Sequence, residues 1–144
     1  MTKSDHALAS FRKGFTCSSA VFSAFSDEMG LDSDMATKIA CGFGGGILKT
    51  GNICGAVSGA IMVIGLKYGK TIQGDDAATE KTRALVRKFM QEFTKRHGSV
   101  NCTELLGYNL SNPDEYEKAR ENNLFMTKCP ELVGDATAIL EKIL

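Results

Sequence analysis

The sequence predicts an all-α protein, a compact single-domain helical bundle with a buried central helix. Apolar residues recur mainly at intervals of three and four, and the alternating runs rich in Val, Ile and Thr that indicate strands are missing. Residues 53–66 are apolar almost all round, which is typical of a helix enclosed by others. A chain of 144 residues can bury one core without disulfides, so we treat residues 1–144 as a single domain.

The first three helices are predicted from their capping residues. An amphipathic helix is expected over residues 3–13. Thr16 is suited to begin the second helix, and Gly30 is suited to end it. Asp32 or Ser33 then begins a third helix, because short polar side chains accept hydrogen bonds from the free N–H groups of the first turn.

The third helix is expected to end in the glycine-rich run of residues 42–46, and the central helix to follow over about residues 53–68. Gly55 and Gly59 lie one turn apart in it, so another backbone can approach that face closely. The sequence leaves open whether that backbone belongs to the same chain or to a second subunit of a homodimer.

The second half of the chain contains four further predicted helices. A linker around residues 74–76 precedes a long amphipathic helix that ends at Gly98. The remaining helices are predicted to begin at Asn101, at Asn112-Pro113 and at Cys129-Pro130. The short helix after Asn101 is expected to stop at Gly107.

Charge and hydropathy exclude several classes of partner. Lys plus Arg and Asp plus Glu number 17 each, so no basic excess favours nucleic acid or an anionic membrane. Charges in the first 13 residues interrupt any signal-peptide core, and the longest apolar run is shorter than the roughly 20 residues that cross a bilayer. We therefore expect a cytoplasmic protein without membrane insertion, whose five cysteines are kept reduced.

Four cysteines lie at predicted helix starts, namely Cys17, Cys54, Cys102 and Cys129. The free N–H groups and the positive dipole end of a helix favour a thiolate there, which can lower a thiol pKa from about 8.5 to between roughly 3.5 and 7.5. Cys41 lies instead at a predicted helix C-terminus, and we interpret it as a buried core residue. His6 and His97 have no cysteine near them in sequence, so structural or solvated roles are favoured for both.

Known cofactor motifs are absent around these residues. No C-x-x-C occurs, so a metal site would need separate helix starts to converge. Position 47 is Ile where G-x-G-x-x-G requires glycine, which disfavours nucleotide binding. Gly44, Gly45, Gly46 and Gly55 can instead bring backbone N–H donors close to sulfur or to an anion.

Several segments together resemble a known family. The chain contains GFGGG at residues 42–46, CGAVSG at 54–59, GSVNCTELLGYNLS at 98–111 and KCPELV at 128–133. These segments resemble a family described as redox-active and defined by a CGAxxG motif and four signature cysteines. The resemblance implies a small helical protein with cysteine-based redox or metal chemistry, in which Cys17, Cys54, Cys102 and Cys129 are the four signature cysteines.

The main hypothesis is that these four cysteines converge on one site. They would then ligate an iron–sulfur cluster or another thiophilic metal, or carry electrons. The electrons would be exchanged with a redox partner that the sequence does not identify. One alternative is thiol–disulfide exchange with Cys54 as the nucleophile. Another is a non-catalytic helical binding module with structural cysteines. The sequence does not decide between an oxidoreductase and an electron carrier.

Overall fold

The computed structural model describes residues 1–144 and contains helices but no β-strand, which confirms the all-α fold class. The helices are α1 Lys3–Arg12, α2 Cys17–Ser26, α3 Ser33–Ala40, α4 Gly44–Ile47, α5 Gly55–Tyr68, α6 Asp76–His97, α7 Cys102–Leu106, α8 Pro113–Glu121 and α9 Leu124–Ile143. All are right-handed α-helices except α4, a single turn in which Gly45, Gly46 and Ile47 have positive φ. Single 3-10 turns follow α2 at Asp27–Met29 and α3 at Cys41–Phe43. None of the helices combines the length and the apolar character that a membrane span requires.

The caps predicted from the sequence form most of the helix boundaries. Side chains accept hydrogen bonds from first-turn N–H groups at Thr16, Asp32, Asn101 and Asn112. Left-handed glycines follow the C-terminal ends at Gly30, Gly98 and Gly107. Local chemistry therefore sets these boundaries, because each cap satisfies backbone groups that the helix itself leaves free.

Helix α5 lies at the centre of the molecule, as predicted, and packs against α2, α6 and α9. Its Val57, Val63 and Ile64 are fully buried in the main core together with Phe89 and Phe93 of α6. A smaller apolar cluster forms under α7, α8 and the start of α9. The two clusters leave room between them for the site described below.

The glycine face of α5 packs against α2 of the same chain. A Cβ atom added at Gly59 would lie 2.6 Å from the carbonyl oxygen of Ser18, so only glycine permits this approach. Gly55 likewise faces the start of α2. Gly55 and Gly59 therefore allow close packing of α5 against α2 within the monomer.

The predicted start of the last helix at Cys129-Pro130 is wrong. Helix α9 begins at Leu124, and Pro130 lies in its interior. Proline there removes one backbone hydrogen bond. Leu124 and Phe125 pack against the smaller apolar cluster, and this burial favours helix before the proline. Cys129 therefore lies inside a helix and gains nothing from a helix N-terminus.

Candidate redox and metal site

One cavity of about 440 Å³ contains the predicted site residues in its wall. The four cysteines singled out by the sequence all line it, and so do the glycines proposed to donate N–H groups: Cys17, Cys54, Cys102, Cys129, Gly44, Gly45, Gly46 and Gly55. Helices α2, α5 and α7 present their N-terminal ends to this cavity, and α9 closes it from the side. The fold thus brings together thiols that are far apart in the chain.

Backbone hydrogen bonds fix Cys54 and Cys102 next to each other. The N–H of Cys54 donates to the Val100 carbonyl at 2.8 Å, and the N–H of Cys102 donates to the Asn52 carbonyl at 2.6 Å. An isolated antiparallel bridge pairs Ile53 with Asn101 between them. The starts of α5 and α7 are therefore joined directly, although about fifty residues separate them in the sequence.

The glycine-rich segment approaches the thiols as closely as its missing side chains allow. A Cβ at Gly46 would lie 2.7 Å from the Cβ of Cys102, and a Cβ at Gly44 would lie 2.7 Å from the Cβ of Thr16. The backbone N–H of Gly45 lies close enough to the Cys17 sulfur to lower the pKa of that thiol. Of the four glycines predicted to bring N–H donors to sulfur, only Gly45 has its N–H near a cysteine sulfur, and the role stays a prediction for the others.

Residues 45–49 form a continuous left-handed segment. Gly45 and Gly46 adopt a φ of 69° without strain, but Ile47, Leu48 and Lys49 also have positive φ values, of 68°, 48° and 61°. Such a conformation costs roughly 1–2 kcal/mol per non-glycine residue. It persists because surrounding contacts hold it, and strain of this kind is concentrated at functional sites.

The thiol pKa values are raised, contrary to the expectation of low values at helix starts. Burial raises the pKa of Cys17 and places that of Cys54 well above its ordinary value. Burial and the neighbouring thiols raise the pKa of Cys102 to about 11 and that of Cys129 to about 12. Backbone N–H donors lower the pKa of Cys17 and Cys54 in part, but loss of water disfavours the charged form more strongly.

Cys41 is exposed, so its prediction as a buried core residue is wrong. It begins the 3-10 turn at the end of α3, one position after the fully buried Ala40. The turn directs the Cys41 residue toward solvent at the edge of the cavity. This exposed thiol is a natural internal control for the four enclosed ones.

The sequence analysis did not find the rest of the cavity wall. It consists of apolar side chains from several elements and two cationic residues, and it includes Phe11, Arg12, Phe15, Lys49, Leu110, Tyr116 and Phe125. Most of these residues resemble ordinary core or surface positions of their own segments. Only their placement around one space shows that they belong together.

Alkylation of native, reduced, metal-free protein by iodoacetamide near pH 7.5 is expected to modify Cys41 first. A thiol of pKa about 11 has roughly 300-fold less thiolate at this pH than one of ordinary pKa, so Cys102 and Cys129 should react at least about 100-fold more slowly. Their rates should rise as the pH increases toward those values. Peptide mass mapping measures each site, with unfolded protein as the control in which all five react. Modification of Cys54 as fast as Cys41 would contradict the enclosed site.

The fold and the site together define a class: a small all-helical protein with four thiols lining one cavity. The family model described as "Putative redox-active protein (C_GCAxxG_C_C)" matches residues 15–143. The chain belongs to this family. The description writes its motif in the order Gly-Cys-Ala, whereas this chain has Cys54-Gly55-Ala56 with Gly59 three positions later. No curated protein and no solved structure gives a significant match.

Proposed function

We propose that this protein carries electrons through an iron–sulfur cluster ligated by Cys17, Cys54, Cys102 and Cys129. The observation that carries the proposal is the presence of all four thiols in the wall of one cavity. The backbone N–H groups of Gly45, Ser18 and Ala56 lie where they can donate to the Cys17 sulfur, and they lower the pKa of that thiol. Such bonds to cluster sulfurs tune the reduction potential.

The raised pKa values support metal ligation over nucleophilic chemistry. A cysteine that attacks disulfides needs a thiolate near neutral pH, and burial opposes this at all four positions. A thiophilic cation supplies the missing positive charge and deprotonates the thiols as it binds. The same burial would then exclude water from the bound centre.

The spacing of the sulfurs favours a cluster over a single ion. No three of the cysteine sulfurs lie within 4.8 Å of one another. A single zinc with bonds of about 2.3 Å to sulfur keeps its sulfur ligands within about 4.6 Å of one another. A polynuclear cluster distributes its thiolates over several metal atoms, so it accepts a wider donor set. When bound, the cluster would supply one-electron transfer.

Thiol–disulfide exchange is the second candidate. It is favoured by the closeness of the Cys17 and Cys54 thiols, because Cys17 adds to the effect of burial in raising the pKa of Cys54. One thiol would attack a disulfide and the other would resolve the mixed intermediate. A cytoplasmic location and an unidentified redox partner belong to either version of the proposal.

Anaerobic reconstitution with iron and sulfide tests the proposal. The protein should gain visible absorption, an electron paramagnetic resonance signal on reduction, and bound iron and sulfide in stoichiometric amounts. Cys→Ser at each of the four positions should abolish or strongly reduce loading, whereas the matched variant Cys41→Ser should load normally. A colourless, iron-free product would contradict the cluster. Redox cycling of a Cys17–Cys54 disulfide in that product would then support the exchange reaction.

A further inference from the structure

The cavity continues beyond the four sulfurs into a space lined by apolar side chains. Phe11, Leu105, Leu106, Leu110 and Phe125 contribute to this part of the wall. The whole cavity, including the part next to the four sulfurs, has a volume of about 440 Å³, within the range of roughly 300–1,000 Å³ that is typical of small-molecule sites. The space is therefore suited to a ligand of its own beside the thiols.

The charged residues that line the cavity are all cationic. Arg12 and Lys49 border it, and no Asp or Glu does. Both are exposed, and neither forms an ion pair with a carboxylate within 4.0 Å. An apolar wall with two unpaired cations at its edge favours a ligand that combines an apolar body with an acidic group.

Lys49 is held at this position by specific contacts. Its ammonium lies 4.7 Å from the centre of the Tyr116 ring and 3.3 Å from the Tyr116 hydroxyl. Lys49 is also the last residue of the left-handed segment, so its own backbone is in a strained conformation with positive φ. Tyr116 lines the cavity as well, which puts the cation at the cavity edge rather than free in solvent.

From these observations we infer that the cavity binds a small apolar carboxylic acid, with its hydrocarbon body against the aromatic and leucine side chains and its carboxylate near Lys49 and Arg12. This inference rests on the proposed function in one respect: the bound acid would lie next to the proposed electron-carrying cluster. The binding itself requires only the cavity and its two cations. It can therefore be measured with and without the cluster.

The test uses the full chain and two probes of nearly equal shape, naphthalene-1-carboxylate and naphthalene-1-carboxamide. Titration calorimetry should show the acid binding at least about 10-fold more tightly than the amide, because only the acid forms a charge-assisted pair. Lys49→Gln should remove most of this preference. Lys70→Gln, which changes an exposed lysine outside the cavity wall, should leave it unchanged. Amide chemical shifts should change around Gly45, Tyr116 and Phe125.

Equal affinity for both probes, absence of binding, or shift changes confined to another surface would overturn the inference. Its failure is distinguishable from failure of the proposed function. Cluster loading without acid binding contradicts this inference alone. Acid binding to protein that cannot be loaded supports this inference and contradicts the cluster.

Discussion

Gly55→Ala is expected to lower cluster loading at least about 10-fold while the protein remains folded. The new Cβ would clash with the Cys17 sulfur, with the Phe43 carbonyl oxygen 3.1 Å away and the Ser18 amide nitrogen 3.2 Å away. Because these backbone atoms close the other directions, the thiol must leave its position in the wall. Changes beside metal ligands commonly reduce affinity by about 10–100-fold.

The measurement is iron and sulfide content after reconstitution, with circular dichroism to confirm the helical fold. Gly65→Ala is the matched control, since it lies in the same helix and its Cβ would meet no atom within 4 Å. The control should load normally and gain up to about 1 kcal/mol of stability from the better helix former. Normal loading of Gly55→Ala would show that Cys17 is not a ligand in its present position.

Gly46→Ala is expected to destabilise the fold by about 2–4 kcal/mol. Its φ of 69° costs an alanine roughly 1 kcal/mol. Its Cβ would also press on the backbone of Asn52 and lie 2.7 Å from the Cβ of Cys102, and overpacking of this kind costs about 1–3 kcal/mol more.

Guanidinium unfolding of the metal-free protein measures this difference. Gly74→Ala separates the two contributions, because Gly74 has a φ of 82° and its Cβ would meet nothing within 4 Å. It should therefore lose only the conformational part, about 1 kcal/mol. Equal losses in the two variants would show that the glycine segment does not press against α7.

The helices could be predicted from sequence where local chemistry decides them. Thr16, Asp32, Asn101 and Asn112 are side chains that cap their own helices, and each effect operates within four residues. Cys129-Pro130 has the same local pattern but lies within α9. There the packing of Leu124 and Phe125 against residues from α7 and α8 decides the boundary, and this packing leaves no local mark in the sequence.

The candidate site divides in the same way. The four cysteines and the glycines beside them could be singled out because their types and positions are unusual. The raised pKa values of the thiols could not be predicted from the sequence. The effect of a helix dipole is local, whereas burial depends on every element around the cavity. The exposure of Cys41 and the positions of Lys49 and Tyr116 likewise depend on how distant segments pack.

The four cysteines span positions 17 to 129 of a chain of 144 residues, and helix α9 contributes both the last thiol and one side of the cavity. A nascent chain therefore lacks part of the cavity wall until Cys129 and the rest of α9 have been synthesised. If the proposed cluster forms, its fourth ligand would become available only after α9 has been synthesised and has packed against the rest of the molecule.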